Sequence, residues 1–419
     1  MKMVMTLKKL IYLLAVAVLL GGMYVNHRRP IEAGADVLRI WVTQEEYQVL
    51  SQVNPNFEAQ HNVTIKMEVV DRAEMLARLP LAMETPFTPD IINATHMLIP
   101  KLVEQGLIAP ITDVFAEFNV LPLAGTALRV TNDFYGIPYR AQTDILFYDR
   151  EQFPEGIPPL SIGENPERYS LAINYQTIYH VVPFIRGFGG YIVGLDNFGN
   201  INFLDIGLHQ EASVMGIQHM VNLLDEGLIS DQETNIYEAF IFGDANLLVA
   251  PMTALDFLQR MMPHVGYQAI PNFLSNEIPY TYMQMDTYQL TSGTTNRELA
   301  IQYLRFLASD EVATIRYELT RAIAPIDHQA PISQDLYYTV VKRQLHRAFP
   351  VPDKEQFNYL YRPFEQAINQ IVEHSEEIQF ILEEAVIEAA INQSIEHPEQ
   401  IQFILEEAVR GINHLIDAR

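Results

Sequence analysis

Between residues 37 and 106 the chain changes its hydrophobic period again and again, and that alternation constrains the fold more than any other feature. Val37 to Thr43 (VLRIWVT) is a short β-branched run with strand character. From Glu45 to Gln60 apolar residues return at helical spacing, at Tyr47, Leu50, Val53 and Phe57. Val63 to Val70 reads as a strand, with Val63, Ile65, Met67 and Val69 on one face. Ala73 to Ala82 has a helical pattern, Pro89 to Ile92 is a brief buried strand, and Ile99 to Gln105 is a helix stopped by Gly106. Strands that alternate with helices build a sheet covered by those helices, which is an α/β architecture.

Further on, Gly136-Ile-Pro138 makes a turn before the apolar strand Ile145 to Tyr148, and Asp196 to Phe203 looks like a hairpin. A long amphipathic helix from about Gln210 to Glu226 precedes the short strand Asn246 to Ala250. Asn296 to Leu307 and Glu311 to Leu319 are helical in pattern, as is everything from Phe364 onward. At 419 residues the chain has room for two domains or one bilobed one.

The tail contains an internal repeat. Residues 367–386 read AINQIVEHSEEIQFILEEAV and residues 390–409 read AINQSIEHPEQIQFILEEAV, sixteen of twenty positions matching at an offset of 23. Two units do not make a solenoid, which needs about three or more to bury a continuous core. The segment reads as a tandem duplication tolerated near a surface terminus, or as an added helical pair that docks a partner.

The amino terminus departs from the rest. Lys2, Lys8 and Lys9 precede sixteen uncharged residues, Leu10 to Val25, and His27-Arg28-Arg29-Pro30 follows. A basic start before an apolar run is the mark of an export signal. Ala33-Gly34-Ala35 offers a cleavage site, so residues 1–35 are a signal peptide or an uncleaved membrane anchor. Leu20-Gly21-Gly22-Met23 resembles the lipoprotein box of bacteria with methionine in place of the lipidated cysteine. Either way the body is expected outside the cytoplasm, in the periplasm or at the cell surface.

Composition narrows the chemistry. The chain has no cysteine, which excludes disulfides, thiolate metal sites and a cysteine nucleophile. A formal charge of −25 repels phosphate backbones and argues against nucleic acid as a partner. There is no Gly-x-Ser-x-Gly elbow, no His-Glu-x-x-His and no Gly-x-x-x-x-Gly-Lys-Ser/Thr. No catalytic residue, metal ligand or cofactor site is therefore assigned, and an extracellular glycan-cleaving enzyme is the least supported class.

Five stretches, taken together, resemble one family. They are Leu38 to Thr43 running into a helix with Phe57-Glu58; Thr88-Pro-Asp-Ile-Ile92 with Leu102 to Leu107; and Tyr135-Gly-Ile-Pro-Tyr139 with Ile145 to Asp149. The others are Met215 to Ile229 with Ala239 to Ala250, and Asn296 to Ala300 with Ala308-Ser-Asp-Glu311. In order and spacing these are similar to the extracellular solute-binding proteins of bacterial sugar ABC transporters, of the maltose-binding type. The likeness covers about Val37 to Arg419. It implies a two-lobed periplasmic-binding-protein-like fold: residues 36–142 and 289–328 form lobe 1, and 143–288 and 329–419 form lobe 2. It also implies a monomer that binds an oligosaccharide by hinge closure and delivers it to an ABC transporter permease. The alternative on the same fold is a membrane-anchored sensor or adaptor that binds a protein partner.

A ligand between such lobes meets strand C-termini and helix N-termini. Hydroxyl-rich ligands require planar hydrogen-bonding groups and an aromatic face. The candidates are Thr43, Glu45 and Glu46 after the first strand, Thr95 and His96 after the third, and Arg140 and Gln142 at the hinge. Tyr179 and Thr253 in the second lobe, Asp286 near the second crossing, and Tyr359 and Tyr361 before the last helices complete the set. Glu45 and Glu46 equally suit the dipole of a first helical turn, and Trp41, the chain's one tryptophan, equally suits core packing.

Overall fold

The computed structural model describes residues 36–158, 168–196, 201–230, 235–272, 278–329, 331–352 and 354–396. The expected signal or anchor at 1–35, and the second repeat copy beyond residue 396, lie outside the described residues.

The first three strands, β1 (Asp36–Val42), β2 (Val63–Val69) and β3 (Ile91–Thr95), pair in parallel in the order β2-β1-β3. Parallel neighbours need crossovers, and α1 (Gln44–His61) and α2 (Arg72–Met83) supply them. Helix α1 starts where the Thr43 hydroxyl accepts the Glu46 N–H at 3.3 Å and ends where Asn62 turns left-handed at φ 52°. Its Leu50, Val53 and Phe57 pack under Leu38, Ile40 and Val42 of β1, each side chain contributing about 1.5–3 kcal/mol by burial. Tyr47 stays exposed and Val49 is buried, because the covered stripe is centred on Leu50, Val53 and Phe57 and Tyr47 falls at its edge. Trp41 is 3% exposed and donates its Nε1–H to Glu68 at 3.0 Å, so it is a core residue.

Helix α3 (Ile99–Glu104) follows β3 through one 3-10 turn, and α4 (Pro122–Thr126) leads to the small hairpin β4 (Arg129–Val130) and β5 (Asp133–Phe134). The next strand, β6 (Ile137–Asp149), is the longest in the molecule's described part and crosses between two sheets. Gly136 opens it at φ 75°, where a Cβ would lie 2.6 Å from the Tyr288 carbonyl oxygen. Both facts require glycine there.

The second sheet contains β7 (Leu171–Ala172), β10 (Leu247–Pro251), β11 (Val265–Gln268) and the distal half of β6. It is covered by α5 (Ile178–Gly187), α6 (Glu211–Asp225) and α7 (Ile236–Phe242), with α8 (Leu255–Met261) after β10. A separate hairpin pairs β8 (Val193–Leu195) with β9 (Ile201–Ile206). Strand β12 (Thr281–Leu290) then returns to the first sheet between β3 and the proximal half of β6. Helices α9 (Arg297–Leu307), α10 (Asp310–Thr320) and α11 (Leu336–Leu345) precede β13 (Ala348–Pro350), which pairs with β12. The chain closes on α12 (Lys354–Glu373) and α13 (Ile378–Glu396), packed on each other and on the core under α5 and α6. The first repeat copy, 367–386, is the end of α12, a 3-10 turn and the start of α13.

Candidate ligand cleft

Strand direction decides where the site lies. In the first sheet β1 and β3 end at Val42 and Thr95; in the second, β10 ends at Pro251, opposite Asp144 of β6. The C-terminal ends of both sets of strands therefore face the stretch where β6 leaves one sheet for the other, between Thr143, paired with Met283, and Asp144, paired with Pro251. Such an end-to-end arrangement leaves a crevice for a ligand. Side chains alternate along a strand. Arg140, Gln142 and Asp144 of β6 share one face, beside Asp286, Gln284 and Tyr282 of β12, while Met283 and Met285 point into the core.

A cavity of about 320 Å³ opens above this floor. Glu45, Arg140 and Gln142 line it from one side, and Thr253, Asp256 and Gln259 from the other. Tyr267, Arg321, Asp335 and Tyr337 close its end. Arg140 holds the floor together: its Nη1 donates to Glu45 at 2.5 Å and its Nε lies 3.2 Å from Asp286, which also accepts from Arg72 at 2.7 Å. Burial pushes the Asp286 carboxyl above its ordinary value, with Arg72 and Arg140 pulling it back. Burial pulls Arg140 down, but Asp286 and Glu45 outweigh it and keep the guanidinium charged.

Four expected residues, Glu45, Arg140, Gln142 and Thr253, come together in this cavity. Asp286 sits beneath it as the counter-ion of Arg140. Tyr179 meets Tyr282 and Tyr361, with ring centroids 6.1 and 5.7 Å away, so that group forms an aromatic wall at the other end of the floor. Thr43 is the cap of α1, and Thr95 donates its hydroxyl to the Met285 carbonyl at 3.3 Å.

Three of the expected residues lie inside the protein. Glu46 is 3% exposed, bound to Arg316 at 2.8 Å and receiving the Tyr288 hydroxyl, because its position on α1 faces the sheet. His96 is 2% exposed, and its ring nitrogens lie 3.1 Å from the Met285 carbonyl and 2.9 Å from that of Val351. Burial lowers its pKa and it serves as a neutral strap between strands. Tyr359 is 8% exposed and belongs to the core.

Sequence reasoning missed a second set. Arg321 ends α10 in the left-handed region at φ 57°, its guanidinium 5.0 Å from the Tyr317 ring centroid. Asp335 accepts from the Tyr317 hydroxyl at 2.6 Å and the Tyr338 N–H at 3.0 Å. Burial pushes its carboxyl up, and these bonds outweigh that and hold it below the usual range. His180, beside Tyr179, has its Nδ1 2.5 Å from Asp144. The available signal was position alone: His180 opens the helix that follows β7.

Among the described residues no cluster of three or more His, Asp or Glu side chains is arranged to hold a metal ion. No described helix is long and apolar enough to cross a membrane.

The family model for bacterial extracellular solute-binding proteins matches residues 41–314. The chain belongs to that family. Among its relatives is a galactooligosaccharide-binding protein of Bacillus subtilis (strain 168), 22% identical over 83% of this chain and 87% of the relative. A maltodextrin-binding protein of the same organism is 21% identical over 84% and 89%. In three dimensions this solute-binding protein superposes on the extracellular solute-binding protein from Staphylococcus aureus in complex with maltose. The TM-score is 0.78 at 17% identity, covering 88% of this chain and all of the other. At that identity the likeness speaks for the two-lobed fold. The named relatives are binding proteins, and this chain shares their family.

Proposed function

We propose that this solute-binding protein receives an oligosaccharide in the cleft above β6 and β12, closes its lobes over it, and presents it to an ABC transporter permease. The observation that carries the reading is the floor itself. Arg140, Gln142, Gln284 and Asp286 place planar donors and acceptors on one face. Tyr179, Tyr282 and Tyr361 put aromatic rings at its end, the combination a sugar ring needs. The relatives' named ligands, galactooligosaccharide and maltodextrin, are of the same class. In this reading the lobes divide as residues 36–142 with 289–328 and 143–288 with 329–419, and the protein acts as a monomer. It works outside the cytoplasm, exported by residues 1–35 and retained by them where they are not cleaved. The role is binding rather than catalysis. The protein-binding sensor or adaptor draws no support from these relatives.

A thermal-shift screen against mono- and oligosaccharides, amino acids and peptides tests the reading. An oligosaccharide that binds only the folded state raises Tm with its concentration, by about 2.7 kcal/mol of added stability at a hundredfold excess over Kd. A response to peptides or amino acids alone, with every sugar silent, rejects it.

A further inference from the structure

Beside Phe349, which pairs with Tyr282 of β12, stands a cation that the protein leaves without a counter-charge. Arg186 stands in the last turn of α5, with its guanidinium 4.2 Å from the Phe349 ring centroid and 6.0 Å from that of Tyr191. Tyr282, whose ring also meets Tyr179 of the aromatic wall, and Tyr280 lie close enough to act on its charge. By contrast, Arg140 and Arg316 each grip a glutamate, at 2.5 and 2.8 Å. Among the described residues no carboxylate lies within ion-pair distance of Arg186 and no oxygen accepts from its guanidinium. Asp205, on the same hairpin wall, instead accepts the Tyr191 hydroxyl at 2.7 Å.

A half-buried guanidinium that finds no acceptor among the described residues favours an anion at its open side. The ring faces and the C-terminal end of α5 offset part of that cost, but neither supplies an acceptor for its five N–H groups. Its planar fork matches a carboxylate held by two parallel hydrogen bonds. We propose that Arg186 is the anion-recognition point of an extended cleft, and that the ligand is an oligosaccharide bearing a carboxylate, a uronic-acid sugar, over Tyr282 and Phe349. The inference rests on the oligosaccharide reading above and narrows it. The chain's net charge of −25 does not oppose it at close range, since exposed charges are screened beyond about 10 Å at ordinary salt.

The test is calorimetric titration of the full chain with trigalacturonate, galactotriose and maltotriose. Trigalacturonate is expected to bind about tenfold tighter or more than either neutral sugar, as charge-assisted hydrogen bonds allow. That ratio should collapse in Arg186→Gln and be partly kept in Arg186→Lys. If Arg186→Gln does not fold, the wild-type ratio still decides. Neutral sugars binding as tightly as trigalacturonate overturn the inference and leave the oligosaccharide reading standing. Silence from all three, with the wider sugar panel also silent, overturns the oligosaccharide reading itself.

Discussion

At the first turn of α1 two neighbouring glutamates part company: Glu45 faces the cavity and Arg140, and Glu46 meets Arg316 where both are 3% exposed. Removing one member of a buried pair leaves the other charged and uncompensated. Glu46→Ala or Arg316→Ala should therefore lower stability by about 3–5 kcal/mol in urea denaturation; a loss below 1 kcal/mol would mean water reaches the pair. Glu46 was legible in part, since 46, 50, 53 and 57 fall on one helical stripe with the core residues of α1. Its partner was not, because Arg316 lies 270 residues away and no local pattern links the two. His180 gives a second residue-scale prediction. Burial lowers its pKa, but the charge and hydrogen bond of Asp144 outweigh burial and hold it above the ordinary histidine value. The stabilisation is complete below the unfolded pKa and is lost as pH rises through the folded one. Nuclear magnetic resonance titration should show His180 above its ordinary value, falling in Asp144→Asn; titration at or below that value in the wild type contradicts the pairing.

Helices α5 and α6 touch through Gly216, where a Cβ would stand 2.5 Å from the Phe184 carbonyl oxygen. Gly216→Ala has to push the two helices apart, and overpacking of that kind costs about 1–3 kcal/mol. Thermal denaturation checks it, and an unchanged Tm would show that the helices have slack. Elements of this kind were the most legible part of the chain. The helix expected from about Gln210 to Glu226 is Glu211–Asp225, and the strand expected at Asn246 to Ala250 is Leu247–Pro251. Periodicity reports which face of an element is apolar, and it fails where cover runs out. Val69 has the alternation of a buried strand residue but stands 42% exposed, because β2 is the edge of its sheet.

For the whole molecule, the proposed closure makes β6 and β12 both floor and hinge. A ligand held by groups of both lobes should shift the protein to a more closed form. Small-angle scattering should then record a smaller radius of gyration with a bound oligosaccharide than without; a raised Tm with no contraction would argue for a rigid pocket. The floor of the cleft was readable at Arg140 and Gln142 because a local motif marks the start of β6. The end wall was not. Tyr267, Arg321, Asp335 and Tyr337 belong to segments that meet the floor only through tertiary packing, and Arg321 owes its direction to a left-handed backbone that nothing in its neighbours announces.

The shared floor also bears on how such a receptor can diverge. In the proposed closure Arg140, Gln142 and Asp144 sit on the strand that twists, so a change of ligand taste made there would alter the stiffness of the joint as well. Thr253, Gln259 and Tyr337 line the same cavity from segments outside the crossing strands. Lineages adapting to new sugars have freer ground on those walls, and the floor is where drift would be held back.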